Sequence, residues 1–442
     1  MQTAQAISGF EEVARNPANV RRAVAAATIG TIIEWYDYAL YGAASGLIIN
    51  KLFFPSLSPV NGVLAAFATF AVGFFMRPVG GIIISHVGDR FGRKPALIFT
   101  IALMGGATVA MGLLPDFNQI GMVAPILLVV FRLLQGFGAG AEYAGAVTLV
   151  SEYVPLERRG FYTAILQAAT VVGILLATLS FLTVSYVPEE ALLSWAWRIP
   201  FLVSAILFFV ALYIRNRLDE TPEYLVAMAR AKARHLEQKV PLGELLRNSP
   251  KEVLFGFLSV TGHNANAYIL SAFSLSYMTN TLGMARTDAL IATSIAAFVG
   301  IIMAPIFGAL ADRIGNAKVF IIGAAFMVIF AFPLFALLDT KNLFLASLAM
   351  SLGYGIGFGG MAGAQGAFLA NLFPTRYRFS GIALAREFNG MLIAGPTPFI
   401  ASALVAMAGG TPRLVAVYLM ACCLLTVVAV WFIRNIHKHD AE

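Results

Sequence analysis

The chain has 442 residues, 59% of them hydrophobic and 12% charged, with a formal net charge of +7 and a mean hydropathy of +0.80. A soluble domain carries about 25% charged residues, so this composition excludes a water-soluble globular protein. Nucleic-acid affinity is not implied by the positive charge, because the basic residues concentrate in alternate connections between apolar runs, where they set orientation in a membrane.

In chain order, residues 1–21 form a polar segment without the compact apolar core and small-residue cleavage site of a removable signal peptide. Twelve apolar runs follow, each near or above the ~20 residues that a helix needs to cross a bilayer. They span 22–49, 60–87, 95–114, 121–151, 160–187, 196–215, 251–280, 287–311, 318–338, 342–370, 380–405 and 412–434. The pattern predicts an all-α integral membrane protein with an N-terminal six-helix bundle (22–215), a polar linker (216–250), a C-terminal six-helix bundle (251–434) and a short tail (435–442). One set of connections carries Arg90, Arg93, Lys94, Arg158, Arg159, Arg313, Lys318, Arg376 and Arg378. The opposite set has little beyond Lys51, Arg286, Lys341 and Arg413. Both termini and the linker are therefore expected to be cytoplasmic, in a multi-pass protein of the bacterial inner membrane. Cys422 and Cys423 are adjacent in the last run, a spacing that suits neither a metal site nor a disulfide framework.

An ionisable side chain at the bilayer centre costs roughly 2.5–3.5 kcal/mol on insertion scales, so it normally faces protein or water and serves a function. Such residues are Glu34 and Asp37 in the first run, Arg77 in the second, Arg132 and Glu142 in the fourth, His263 in the seventh, and Arg386 with Glu387 in the eleventh. Helical spacing places Glu34, Asp37, Tyr38 and Tyr41 on one face, and Arg132, Gln135, Ala139 and Glu142 on another. Gly136, Gly138, Gly140 and Gly145 allow the fourth helix to approach a neighbour closely. A shared polar chamber follows, with Asp37 first, then Glu34 and Glu142, as the expected proton-coupling acids. Permanent neutralisation of Arg132 by Glu34 or Glu142 is the structural alternative.

A buried guanidinium offers a planar donor fork to a carboxylate, so Arg132 is the leading candidate for holding an acidic substrate. Gln135, Tyr38, Tyr41, Gln167, His263, Asn266, Gln365 and Arg386 complete the expected substrate-binding set. His263 shares its face with Asn266 and titrates in the useful range, with a packed polar histidine as the alternative. Arg386 lies near the cytoplasmic end of its run, where a reach outward to the interface is the competing reading. Arg77, immediately before Pro78, reads as a gating or structural residue.

The halves repeat each other. GDRFGRK, from Gly88, is echoed by ADRIGNAK, from Ala311, and the stretch GFGAGAEYAGAVTLVSEYVP ending at Pro155 by GIGFGGMAGAQGAFLANLFP ending at Pro374. Two echoes at nearly equal offsets indicate an internal duplication, as in transporters that rock two bundles around a central site. Asp89, Arg90, Gly92 and Arg93 in the first copy, with Asp312 and Arg313 in the second, are expected to latch the bundles together; the alternative is that the basic residues only set topology. Glycine spacing and the absence of a following Ser/Thr rule out a phosphate loop.

GDRFGRK resembles the signature loop of the major facilitator superfamily. EWYDYALYG, FATFAVGFFMRPVGG, RLLQGFGAGAEYAGA and SWAWRIPF together resemble its metabolite:proton symporter family, which includes carriers of shikimate, α-ketoglutarate, citrate and proline/betaine. ALAREFNGM, from Ala383, departs from the family pattern, and Ser85 stands where the superfamily loop usually begins with Gly. The resemblance implies proton-driven uptake of a small organic acid by alternating access, with no cofactor beyond the proton gradient, no nucleic acid and no obligate protein partner. An osmolyte symporter is the runner-up. A proton antiporter is disfavoured because span five, FYTAILQAATVVGILLATLSF, lacks the glycine/proline-rich pattern of superfamily antiporters. No paired-aspartate metal motif, nucleophile elbow or zinc spacing points to an enzyme.

Overall fold

The computed structural model describes residues 17–91, 93–140, 142–217, 242–374 and 378–439. Twelve helical segments fill the predicted order: α1 (17–53), α2 (Pro59–Phe91), α3 (Arg93–Leu113), α4 (123–153), α5 (Leu156–Val184), α6 (189–217), α7 (250–281), α8 (Arg286–Ile314), α9 (Asn316–Leu338), α10 (Leu343–Leu372), α11 (Arg378–Met407) and α12 (Arg413–His439). Ile82, Phe209, Ile329 and Met407 project from the outer surface, as a lipid-facing surface requires. The protein is an all-α membrane protein of two six-helix bundles, α1–α6 and α7–α12.

Helix ends run past the apolar runs. α1 is already helical at Pro17, the first described residue, ahead of the expected 22, α2 is helical to Phe91 and α12 to His439. Hydropathy marks the hydrocarbon thickness, whereas a helix continues into the headgroup layer as long as its backbone bonds close. GDRFGRK is consequently helical up to Phe91 and again from Arg93. Gly92 lies outside the described residues, and Asp89, Arg90 and Arg93 are described as helix backbone only. Of the linker, 218–241 lies outside the described residues, while Leu242–Asn248 is helical.

Small residues set the closest approaches. A Cβ on Gly136 of α4 would fall 1.8 Å from the Gly73 carbonyl oxygen of α2, so these backbones touch directly. Between the bundles, a Cβ on Gly308 of α8 would sit 2.5 Å from Ala164 Cβ and 2.7 Å from the Gly160 carbonyl oxygen of α5. The α5–α8 seam is thus a small-residue seam. The related seam between α2 and α11 carries charges instead.

Several helices are interrupted by π-helical turns: α1 at Ser45–Ile49, α7 at Ile269–Phe273 and Tyr277–Thr281, α10 at Gly353–Phe358 and α11 at Gly390–Ala394. Such turns redirect side chains and often mark functional regions. Two of them meet across the halves, where Asn280 Nδ2 donates to the Gly46 carbonyl oxygen at 2.7 Å.

Candidate functional site

A layer of charge lies between the bundles. Arg77 of α2 is 4% exposed and donates from Nε to Glu387 Oε2 of α11 at 2.8 Å, and from Nη2 to Glu34 Oε1 of α1 at 3.3 Å. Its Nη2 also reaches the Ala139 carbonyl oxygen at 3.4 Å, and its guanidinium carbon lies 5.0 Å from the Tyr38 ring centroid. One cation therefore serves two carboxylates from opposite halves. Neither carboxylate can leave without weakening a buried pair.

Arg132 is boxed inside the N-terminal bundle. It has no exposed surface, donates from Nη2 to the Phe70 carbonyl oxygen at 2.7 Å and bonds the Gln135 side chain through Nη1. Tyr41, Tyr38 and Phe70 surround it, with the Tyr41 ring centroid 4.2 Å from its Cζ. Among the described residues it makes no ion pair, and its Nε has no hydrogen-bond partner. Of the acids in the anticipated alternative, Glu34 pairs with Arg77 instead.

Asp37 accepts a hydrogen bond from Ser204 Oγ of α6. Gln135 Nε2 donates to Thr108 Oγ1 at 2.8 Å and to the Asp37 carbonyl oxygen at 3.3 Å, so α3 and α4 close this pocket. The expected common face with Glu34 is therefore split. Three residues advance a helix by about 300°, a net offset of about 60°, which leaves Asp37 to one side of Glu34, and the contacts with Ser204 and Gln135 hold it among α3, α4 and α6. A chain of polar groups, Arg132–Gln135–Thr108, connects that pocket to the aromatic wall.

The second half contributes Arg386, His263, Asn266 and Gln365. Arg386 is 7% exposed and does not reach the interface; its Cζ lies 3.3 Å from the Tyr143 ring centroid and Nη1 has no hydrogen-bond partner. His263 approaches Gln167 of α5 through Nε2 at 3.3 Å and lies against Phe358. Among the described residues, His263 Nδ1, Gln167 Oε1 and both side-chain amide ends of Asn266 are buried without hydrogen-bond partners, while Gln365 lies beside the Tyr143 hydroxyl. A buried polar atom without a partner costs on the order of 1–3 kcal/mol, so several facing one interior imply a ligand or water that completes them.

Beside this layer is a narrow cleft between α1, α2, α5 and α7, lined by Trp35, Tyr38, Phe70, Tyr268, Thr178 and Ser271 among others. Tyr38 borders both regions: its ring faces Arg77 and Arg132, and its hydroxyl is unpartnered. Tyr41 is turned away, bonding Thr69 at 2.6 Å. Sequence reasoning did not single out Trp35, Tyr268 or Phe70, since aromatic residues are common in membrane interiors and only the fold brings three helices together. It also gave Glu387 no role, for its partner Arg77 is 310 residues away.

At one end of the α5–α8 seam, Asp312 accepts the backbone N–H groups of Gly160 (2.6 Å) and Phe161 (2.9 Å). These are unpaired donors of the first turn of α5, where the helix dipole favours an anion. Arg159 Nη1 adds a bond to Asn371 Oδ1 of α10 at 2.9 Å, whereas Arg313 is exposed. Hydrogen bonds to charged groups contribute about 1.5–3 kcal/mol each. Asp312→Ala is expected to open this end, raising by about tenfold or more the labelling rate of a cysteine placed at buried Thr163 by a water-soluble maleimide. An unchanged rate would deny the latch.

Two six-helix bundles meeting around a buried charged layer define a membrane carrier. The Major Facilitator Superfamily model matches residues 27–396 and 253–442, and the chain belongs to that superfamily. It is 36% identical over 416 residues to the shikimate transporter of Escherichia coli (strain K12), covering 94% of each chain. It is 33% identical over 396 residues to the proline/betaine transporter of the same strain, covering 87% of this chain and 78% of that one. The crystal structure of a D-xylose-proton symporter superposes with a TM-score of 0.71 over 94% of this chain and 97% of that one, at 20% identity, which establishes a common fold. The protein is a transporter, not an enzyme.

Proposed function

We propose that the protein is a proton-coupled symporter that takes up a small organic acid, a mono- or dicarboxylate of shikimate-like size, across the bacterial inner membrane. The observation that carries this reading is Arg386: a buried guanidinium beside Tyr143 whose Nη1 has no hydrogen-bond partner among the described residues, as is also true of His263 Nδ1, Gln167 Oε1 and the Asn266 amide. A substrate carboxylate would complete the guanidinium, and hydroxyl or carbonyl groups would complete the amides. The body of the substrate would lie toward the aromatic cleft, which must widen to admit it and where ring faces of Trp35 and Tyr268 offer apolar contact. Arg386 takes precedence over Arg132, whose position behind Tyr38, Tyr41 and Phe70 suits it to polarise the wall and brace Gln135.

Asp37 is assigned the transported proton, with Glu34 and Glu142 as the further proton-coupling acids. Its side chain is held by a hydroxyl rather than a cation, so taking a proton breaks no ion pair. The basic end at Arg158, Arg159 and Arg313 is assigned to the cytoplasm, which places both termini there.

A zwitterionic osmolyte is the second reading, supported by the aromatic lining of the cleft, since rings attract quaternary ammonium groups. A thermal-unfolding screen of the purified protein against shikimate, α-ketoglutarate, citrate, proline and glycine betaine separates the two. A ligand at about 100 times its Kd adds roughly 2.7 kcal/mol to stability. Carboxylic acids are expected to raise the unfolding temperature more at pH 5.5 than at pH 7.5. Stabilisation by betaine alone would reassign the substrate class.

A further inference from the structure

The α2–α11 seam holds an arrangement that includes no part of the Asp37 pocket. Arg77 is bonded to Glu387 across the halves at 2.8 Å and to Glu34 within its own half at 3.3 Å, and all three side chains are nearly fully buried. Facing the cluster are Tyr38 on α1, Tyr268 on α7, Glu142 on α4 and Arg386 beside Glu387 on α11. The duplicated seam, α5–α8, is packed with Gly160, Ala164 and Gly308, and among the described residues no ion pair crosses it.

When the bundles separate along α2–α11, Arg77 keeps Glu34, because both belong to the N-terminal half. Glu387 leaves with α11 and loses its cation. A carboxylate stranded at the edge of a low-dielectric interior is strongly disfavoured, and a proton removes the charge. We infer that Glu387 is a gating acid: protonation of its carboxylate, by releasing Arg77 to Glu34, permits the end of the carrier bearing Asp312 and Arg159 to open.

The proton arrives from the compartment that this end faces and returns to it on closure, when Arg77 recaptures Glu387. It is distinct from the proton assigned to Asp37 and adds nothing to the transported stoichiometry. The inference rests on the reading of the protein as a proton-coupled carrier, yet it predicts a separate pH dependence. Acidity on that side raises the open fraction, and a single linked proton changes the open-to-closed ratio by at most about tenfold per pH unit.

Spin labels on cysteines replacing Leu156 and Ile314, two exposed residues at the opening end of opposite halves, report the open fraction by pulsed electron resonance in lipid nanodiscs. In the otherwise unchanged protein, the long-distance population is expected to grow as pH falls from 8 to 5. Glu387→Gln should hold the long-distance population high at both pH values. Glu387→Asp, shorter but titratable, should restore the pH response, which separates gating from a folding defect. Asp37→Asn should leave the response intact. A Glu387→Gln protein that responds to pH as the parent does overturns the inference without touching symport, as does a response lost in Asp37→Asn but kept in Glu387→Gln. A parent protein that does not respond to pH also overturns it.

Discussion

Arg386→Gln is expected to eliminate the stabilisation of the protein by carboxylic acids and to weaken their half-saturation for uptake by between about 30-fold and a few thousand-fold. The range corresponds to the 2–5 kcal/mol lost when one partner of a buried, hydrogen-bonded charge pair is removed. Among the described residues Arg386 makes no ion pair, so the change removes none of the salt bridges seen there. Its packing on Tyr143 is partly retained by the glutamine stem, and folding should survive. Arg132→Gln offers the contrast. Arg132 bonds Gln135 and the Phe70 carbonyl oxygen, so its loss is expected to lower thermal stability of the unliganded protein first. Equal carboxylate binding in the Arg386→Gln protein and the parent would remove Arg386 from the substrate site.

Asp37→Asn is expected to separate proton coupling from transport. Asparagine retains an oxygen that can accept from Ser204 Oγ, so the contacts between α1 and α6 persist while the titrating group is gone. With one proton per monocarboxylate, each pH unit across the membrane is worth about 1.36 kcal/mol, a tenfold accumulation. In proteoliposomes the variant should bring solute only to equal concentrations on both sides, while exchange of labelled for unlabelled solute continues. A tenfold accumulation surviving in the variant would transfer the proton to another acid. Glu34 and Glu142 are then the next to test.

Much of the architecture is legible in the sequence because lipid imposes a simple length and polarity rule on every span. The rule is blind to helix ends, and so α1, α2 and α12 extend beyond their apolar runs. Buried charges were also visible as exceptions to that rule, yet their partners were not. Glu34 and Arg132 looked like neighbours by residue type, whereas Arg77 occupies the position between Glu34 and Glu387, and Arg132 is enclosed by Tyr41 and Phe70. Spacing on an isolated helix grouped Asp37 with Glu34. A helix surrounded on all sides presents each of its faces to a different neighbour, and a net offset of about 60° between the two acids is enough to send them to different ones. Asp312 was marked as a gating residue by its place in a repeated loop; that it caps the first turn of α5 depends on the crossing of α5 and α8, which no local pattern encodes.

The coupling of acid and proton movement can be observed directly in lightly buffered proteoliposomes with a pH electrode in the external medium. Addition of the carboxylate that best stabilises the purified protein should make that medium more alkaline, at a rate abolished by Arg386→Gln and sharply reduced by Asp37→Asn. Acidification on addition, or solute entry with no change in external pH, would contradict symport.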